Sequence, residues 1–116
     1  MNDLKEYVEN IKNDIIAMYE ADYTDEEREE LEEKGEAYDL YSYFNDVLDI
    51  EYTIGGDGSY RGVRLAVALG GPNVWVDTNR GEVFGAWGTD RESAWLPSEV
   101  CAEIDAIFEE YFDCVR

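Results

Sequence analysis

The sequence predicts an α+β domain: N-terminal helices, a four-stranded antiparallel β-meander and a C-terminal helix packed on the sheet. Three features carry this expectation. Apolar residues recur at three- and four-residue spacing at both ends of the chain, they alternate with polar residues in the middle, and glycine-rich breaks separate the alternating runs. With 116 residues, 45% of them hydrophobic, the chain can build one ordinary core. No linker, repeat or shift in composition marks a second unit. Residues 1–116 therefore read as a single domain, with an acidic helical part over 1–49, a sheet over 50–88 and a helix over 98–115.

Leu4, Tyr7, Val8, Ile11, Ile15, Met18 and Tyr19 predict an amphipathic helix over residues 3–22, with Asn2 placed to cap it. Thr24-Asp25-Glu26-Glu27 fits a capping box, so a short second helix follows and stops at Gly35. Ala37, Tyr38, Leu40, Tyr41, Phe44, Val47 and Leu48 then predict a third helix over about 37–49. From Ile50 the period becomes two. Ile50, Tyr52 and Ile54 make a first strand, residues 55–59 a turn, and Val63, Leu65, Val67 and Leu69 a second strand. After the Gly70-Gly71-Pro72 break come strands over Asn73–Thr78 and Glu82–Trp87, joined through Asn79-Arg80-Gly81. Pairing these two sets Val76 opposite Val83 on one face and Trp75 opposite Phe84 on the other. Pro97-Ser98-Glu99 opens the last helix, which buries Val100, Cys101, Ile104, Ile107, Phe108, Tyr111 and Phe112.

The charge narrows the function classes. The chain holds 29 acidic and nine basic residues, a formal charge of −20, and no histidine. Histidine-based nucleophile pairs and imidazole zinc sites are excluded. Direct binding to nucleic acid is disfavoured, because phosphate would meet like charge. No apolar run reaches membrane-spanning length and the N-terminus lacks a basic-then-apolar signal, so a cytoplasmic protein away from membranes is expected.

The charge is also localised. Residues 1–51 carry 18 acidic and four basic residues, residues 52–98 five and four, and residues 99–116 six and one. The sheet region is almost neutral. Asp25–Glu36 is densest, with eight acidic and two basic residues. As a helix it would span roughly 18 Å, or about 3 Å per net charge, close to the ~3.4 Å phosphate spacing along one strand of a duplex. In helical projection Asp22, Asp25, Glu29, Glu32 and Glu36 share a stripe roughly 80° wide, with Glu26 and Glu33 beside it and Leu31 and Tyr38 opposite. A plain reading is a solvated connector whose like-charge neighbours repel. The sharper reading is a row of carboxylates offered to a cleft lined with Lys and Arg.

Other constellations are weaker. Gly55-Gly56-Asp57-Gly58-Ser59 lacks the lysine and helix of a phosphate loop and the carboxylates of a calcium loop, so it reads as a turn. No catalytic pair can be chosen meaningfully from 29 carboxylates, and no catalytic residue, metal or cofactor is assigned. Cys101 and Cys114 lie thirteen residues apart on one predicted helix, about 20 Å along its axis, and cannot bridge each other. They read as free thiols of a reducing compartment. Trp75, Phe84, Trp87 and Trp95, with Tyr52 and Tyr60, are best explained as core. Trp75 and Phe84 are the exceptions: they face away from Val74, Val76 and Val83 and need a helix, a second subunit or a partner to cover them.

The segment Arg61-Gly62-Val63-Arg64-Leu65-Ala66-Val67-Ala68-Leu69-Gly70-Gly71-Pro72-Asn73-Val74-Trp75-Val76-Asp77-Thr78, followed by the strand to Trp87 and the acidic last helix, resembles small acidic proteins encoded on phages and conjugative elements of Gram-positive bacteria. About half the chain takes part. The resemblance implies membership and fold and carries over no catalytic residues. Such elements encode acidic inhibitors of host defence, including antirestriction and anti-CRISPR proteins that imitate nucleic acid. The expectation is therefore a non-enzymatic mimic that occupies the basic DNA- or RNA-binding cleft of a defence nuclease. Asp22, Asp25, Glu26, Glu29, Glu30, Glu32, Glu33 and Glu36 would make the contact, with Asp39 in support. The alternative is an acidic adaptor or oligomeric module, such as a homodimer, that uses the aromatic sheet surface around Trp75 and Phe84.

Overall fold

Leu4, Val8 and Ile15 recur on one side of helix α1 (Asp3–Glu20) and are buried there. Residues 3–115 are described by a computed structural model; the expected Asn2 cap lies outside them. Helix α2 (Asp25–Glu33) is bounded as its sequence predicts. The Thr24 hydroxyl accepts from the Glu27 amide at 3.2 Å while the Glu27 carboxylate accepts from the Thr24 amide at 3.1 Å. At the other end Gly35 takes φ 75°, and the Gly35 and Glu36 amides turn back to the carbonyls of Glu32 and Leu31.

The third helix is much shorter than expected. Helix α3 covers only Leu40–Tyr43, a 3₁₀ turn follows over Phe44–Asp46, and the chain is extended again by Val47. Two local bonds explain the late start. Asp39 accepts from the Ser42 amide at 2.8 Å, and the Ser42 hydroxyl accepts from the amides of Tyr38 and Asp39. A fresh cap at Asp39 excludes residues 37–39 from the helix.

The sheet has five strands, not four, and runs to residue 95 rather than 88. They are β1 (Asp49–Ile54), β2 (Tyr60–Ala68), β3 (Asn73–Asp77), β4 (Glu82–Trp87) and β5 (Asp90–Trp95), paired antiparallel in sequence order. The unexpected β5 is polar at Asp90, Arg91, Glu92 and Ser93 and buries only Ala94, so it lacks the alternation that marks a half-buried strand. Gly88, with φ 63°, makes the two-residue turn that pairs Trp87 with Asp90. Helix α4 (Ser98–Val115) follows as expected.

The molecule has two layers. Helix α1 packs over β4 and β5, α4 over β2, and α3 between the two helices. Val63, Leu65, Val74, Val76, Val83 and Ala94 meet Leu4, Val8, Ile15, Val100, Ile104 and Phe108 in one core. Gly85 lets α1 approach β4 closely: a Cβ there would stand 2.9 Å from both Leu4 and Val8. Val76 faces Val83 and Trp75 faces Phe84, in the register expected from the hairpin. Because residues alternate across a strand, Trp75 and Phe84 point away from every helix in this core.

Candidate partner-binding surfaces

Two surfaces are not used by the core. The first is α2. None of its residues is buried, and seven of the nine are acidic. Leu31 is half-buried, and Arg28 is drawn over the Tyr38 ring at 5.5 Å, so the helix is held by its two caps and a few side contacts. Its seven carboxylates and one guanidinium span about 13 Å. The Glu27 carboxylate is occupied by the cap. Asp25, Glu26, Glu29, Glu30, Glu32 and Glu33 are exposed on this helix.

The remaining expected contact residues do not belong to that helical row. Asp22 lies in the linker before the cap, and Glu36 lies beyond Gly35; both are exposed. Asp39 is half-buried, with one carboxylate oxygen committed to Ser42. Tyr38 is likewise outside the helix, so it cannot be its anchoring face. The stripe projected across residues 22–36 is thus interrupted at both ends, because the helix starts at Asp25 and the glycine reverses its path after Glu33.

The second surface is the face of the sheet opposite the helices. Trp75 and Phe84 stack there with ring centroids 5.1 Å apart and planes 22° from parallel. The Arg64 guanidinium lies over both rings, 4.7 Å from the Trp75 centroid and 5.0 Å from that of Phe84. Its Nε is 3.8 Å from Glu51 and, although buried, has no hydrogen-bond acceptor among the described residues. Beside this stack is a shallow hollow of about 550 Å³ lined by Arg80, Glu82, Phe84, Arg91 and Ser93. Glu82 is 8% exposed and lies 3.7 Å from Arg80, whereas Trp95, next to it on β5, is 74% exposed.

Arg64, Arg80, Glu82 and Arg91 were not singled out by sequence pattern. Arg64 alternates with the buried Val63 and Leu65, which marks it as facing away from the core. Its meeting with Trp75 depends on the β2–β3 register, which shifts at a bulge between Ala66 and Ala68.

Among the described residues no group of three or more His, Cys, Asp or Glu side chains is arranged to hold a metal ion, and no helix is long and apolar enough to cross a membrane. Cys101 is buried and Cys114 exposed, and both are free thiols. No family model, curated relative or solved structure matches the chain.

Proposed function

We propose that this protein is a non-enzymatic, cytoplasmic inhibitor that presents the carboxylates of α2 to the basic nucleic-acid cleft of a defence nuclease. The observation that carries the reading is that α2 has seven acidic residues and no buried one. A helix that contributes so little to the core, yet is capped at both ends, is a mounted display of negative charge. Its carboxylates are spaced closely enough to stand in for phosphates, and association with a Lys- and Arg-lined cleft would release the anions held there. The partner class, a restriction enzyme or an RNA-guided nuclease, rests on the acidic residues between 22 and 39; the resemblance of residues 61–78 to small acidic proteins of phages and conjugative elements bears on membership and fold and is a separate line.

The test is inhibition of purified nucleases of both kinds by the parent chain and by a variant carrying Asp25→Lys, Glu29→Lys and Glu32→Lys. These residues are exposed and do not form the cap, so the fold is retained. Inhibition should weaken by about 100-fold or more, and parent affinity should fall steeply between about 50 and 200 mM salt. Equal inhibition by the reversed variant would sink the proposal.

A further inference from the structure

We infer that the cleft where α1, α3 and α4 converge receives an arginine side chain from a basic protein segment. This rests on the reading above that the partner is basic; it needs neither the carboxylates of α2 nor a nuclease.

Glu103, Ile107 and Tyr111 follow one another at four-residue steps and form a ridge along α4. Tyr41 of α3 stacks on Tyr111, with ring centroids 6.1 Å apart and planes 14° from parallel. The last turn of α1 closes the cleft with Tyr19. The enclosed cavity of about 610 Å³ has Leu40 and Ile107 as its apolar floor and Tyr19, Tyr41, Asp39 and Glu103 around them. Its size is that of a ligand pocket, ~300–1,000 Å³, with room for an arginine and an apolar neighbour. The wall includes Ala21, through which the chain leaves for α2, and Asp39, where it returns. The cleft therefore lies at the root of the acidic helix.

Charge and shape select the occupant. No lysine or arginine lines the cleft. Glu103 is exposed and has no ion-pair partner among the described residues. Asp39 commits Oδ1 to the Ser42 amide, and its Oδ2 has no partner among the described residues. Helix α1 brings its C-terminal end here, and its last turn carries no basic residue. The partial charge of roughly −0.5 on its final carbonyls is thus uncompensated. These negative features meet over an apolar floor, so an anion is repelled, and a small hydrated cation would have to shed water against Leu40 and Ile107.

A guanidinium suits the cleft because it is planar and weakly hydrated, pairs with a carboxylate and stacks on tyrosine faces. Its methylene stem would lie on the apolar floor. Tyr41 and Tyr19 are 53% and 38% exposed, so neither ring is used up by the core.

Titration of the full chain with acetyl-Leu-Arg-Leu-amide at about 150 mM salt, followed by amide NMR shifts, tests this. Shifts should gather at residues 18–21, 39–41 and 103–107, with a Kd of about 0.1–1 mM. The same peptide with neutral citrulline in place of arginine should bind about tenfold more weakly, and the lysine peptide about threefold more weakly. Glu103→Lys should weaken the arginine peptide about tenfold. Glu109→Lys makes the same charge change at an exposed position about 120° round α4 and should alter binding by less than about twofold. The inference is overturned by no saturable shift up to about 10 mM peptide, by equal binding of the citrulline or lysine peptide, or by equal weakening in the two variants. Shifts confined to residues 25–33 overturn it as well, since the peptide would then sit on α2 alone. A failure to inhibit nucleases leaves these shifts in place, and their absence leaves inhibition through α2 intact, so the two failures are distinguishable.

Discussion

Tyr60 donates a 2.7 Å hydrogen bond from its phenol to Asp105, joining the first residue of β2 to the middle of α4. The ring also meets Tyr52 and Phe112 at the end of the core. Burial and the acceptor at Asp105 hold the Tyr60 proton well above the ordinary value of 10.0. Burial, reinforced by Asp14 and Tyr7, pushes Tyr43 up to about 12. In both cases the folded state keeps a proton that the unfolded chain releases above about pH 10. Their contribution is therefore complete below pH 10 and is lost as the pH rises beyond it. Urea unfolding followed from pH 7 to 11 should show stability falling only at the alkaline end. Tyr60→Phe should cost about 1–2 kcal/mol at neutral pH, and its difference from the parent should shrink as the pH rises past 10.

The approach of α1 to the sheet depends on the missing side chain at Gly85. Leu4 and Val8, both 1% exposed, occupy the space that a Cβ would need. Gly85→Val should push α1 outward and destabilise by about 1–3 kcal/mol. For a domain of this size that is a fall in Tm on the order of 5–20 °C. Gly85→Ala should cost less, because the atoms in the way are the ends of side chains that can shift. Thermal unfolding by circular dichroism distinguishes the two.

The two thiols should react at very different rates. Cys114 is exposed near the end of α4, whereas Cys101 is buried against the sheet. Burial first, and then the negative charges of Asp105 and Asp77, push the Cys101 thiol up, which keeps the thiolate scarce as well as hidden. Titration with a chromogenic disulfide should count one fast thiol in native protein and a second only on unfolding. Cys114→Ser should remove the fast phase alone. Two fast thiols would show that α4 opens away from β2.

Parts of this fold were legible because they are local. The Thr24–Glu27 cap, the Gly35 stop and the pairing of Val76 with Val83 each depend on residues a few positions apart. β5 was not legible, since an edge strand with one buried residue has no apolar alternation to detect. The third helix was overestimated because Ala37 and Tyr38 fit the helical period, while the competing Asp39–Ser42 cap is a side-chain matter that periodicity ignores. The aromatic face was half legible. Trp75 and Phe84 follow from one hairpin, but Arg64 joins them only in the β2–β3 register, which a bulge between Ala66 and Ala68 offsets from the turn that connects the strands. The acidic row was visible by composition alone, yet its ends were set by the same cap and glycine that bound the helix.

That dependence gives a prediction specific to α2. Its amides are protected by hydrogen bonds within the helix and its caps, since no buried side chain anchors it. Thr24→Ala removes the hydroxyl acceptor for the Glu27 amide, while the residue-24 amide that donates to the Glu27 carboxylate stays. A cap of this kind contributes about 1 kcal/mol, which for a nine-residue helix of dense like charge is most of what keeps it formed. Amide hydrogen exchange over residues 25–33 should therefore accelerate about fivefold in Thr24→Ala, while exchange in β2, β3 and α4 stays unchanged. Global unfolding should move by less than about 0.5 kcal/mol, because the core loses no contact. If exchange in the core strands accelerates with that in α2, the helix is coupled to the core and is not the separately mounted element that its exposure indicates.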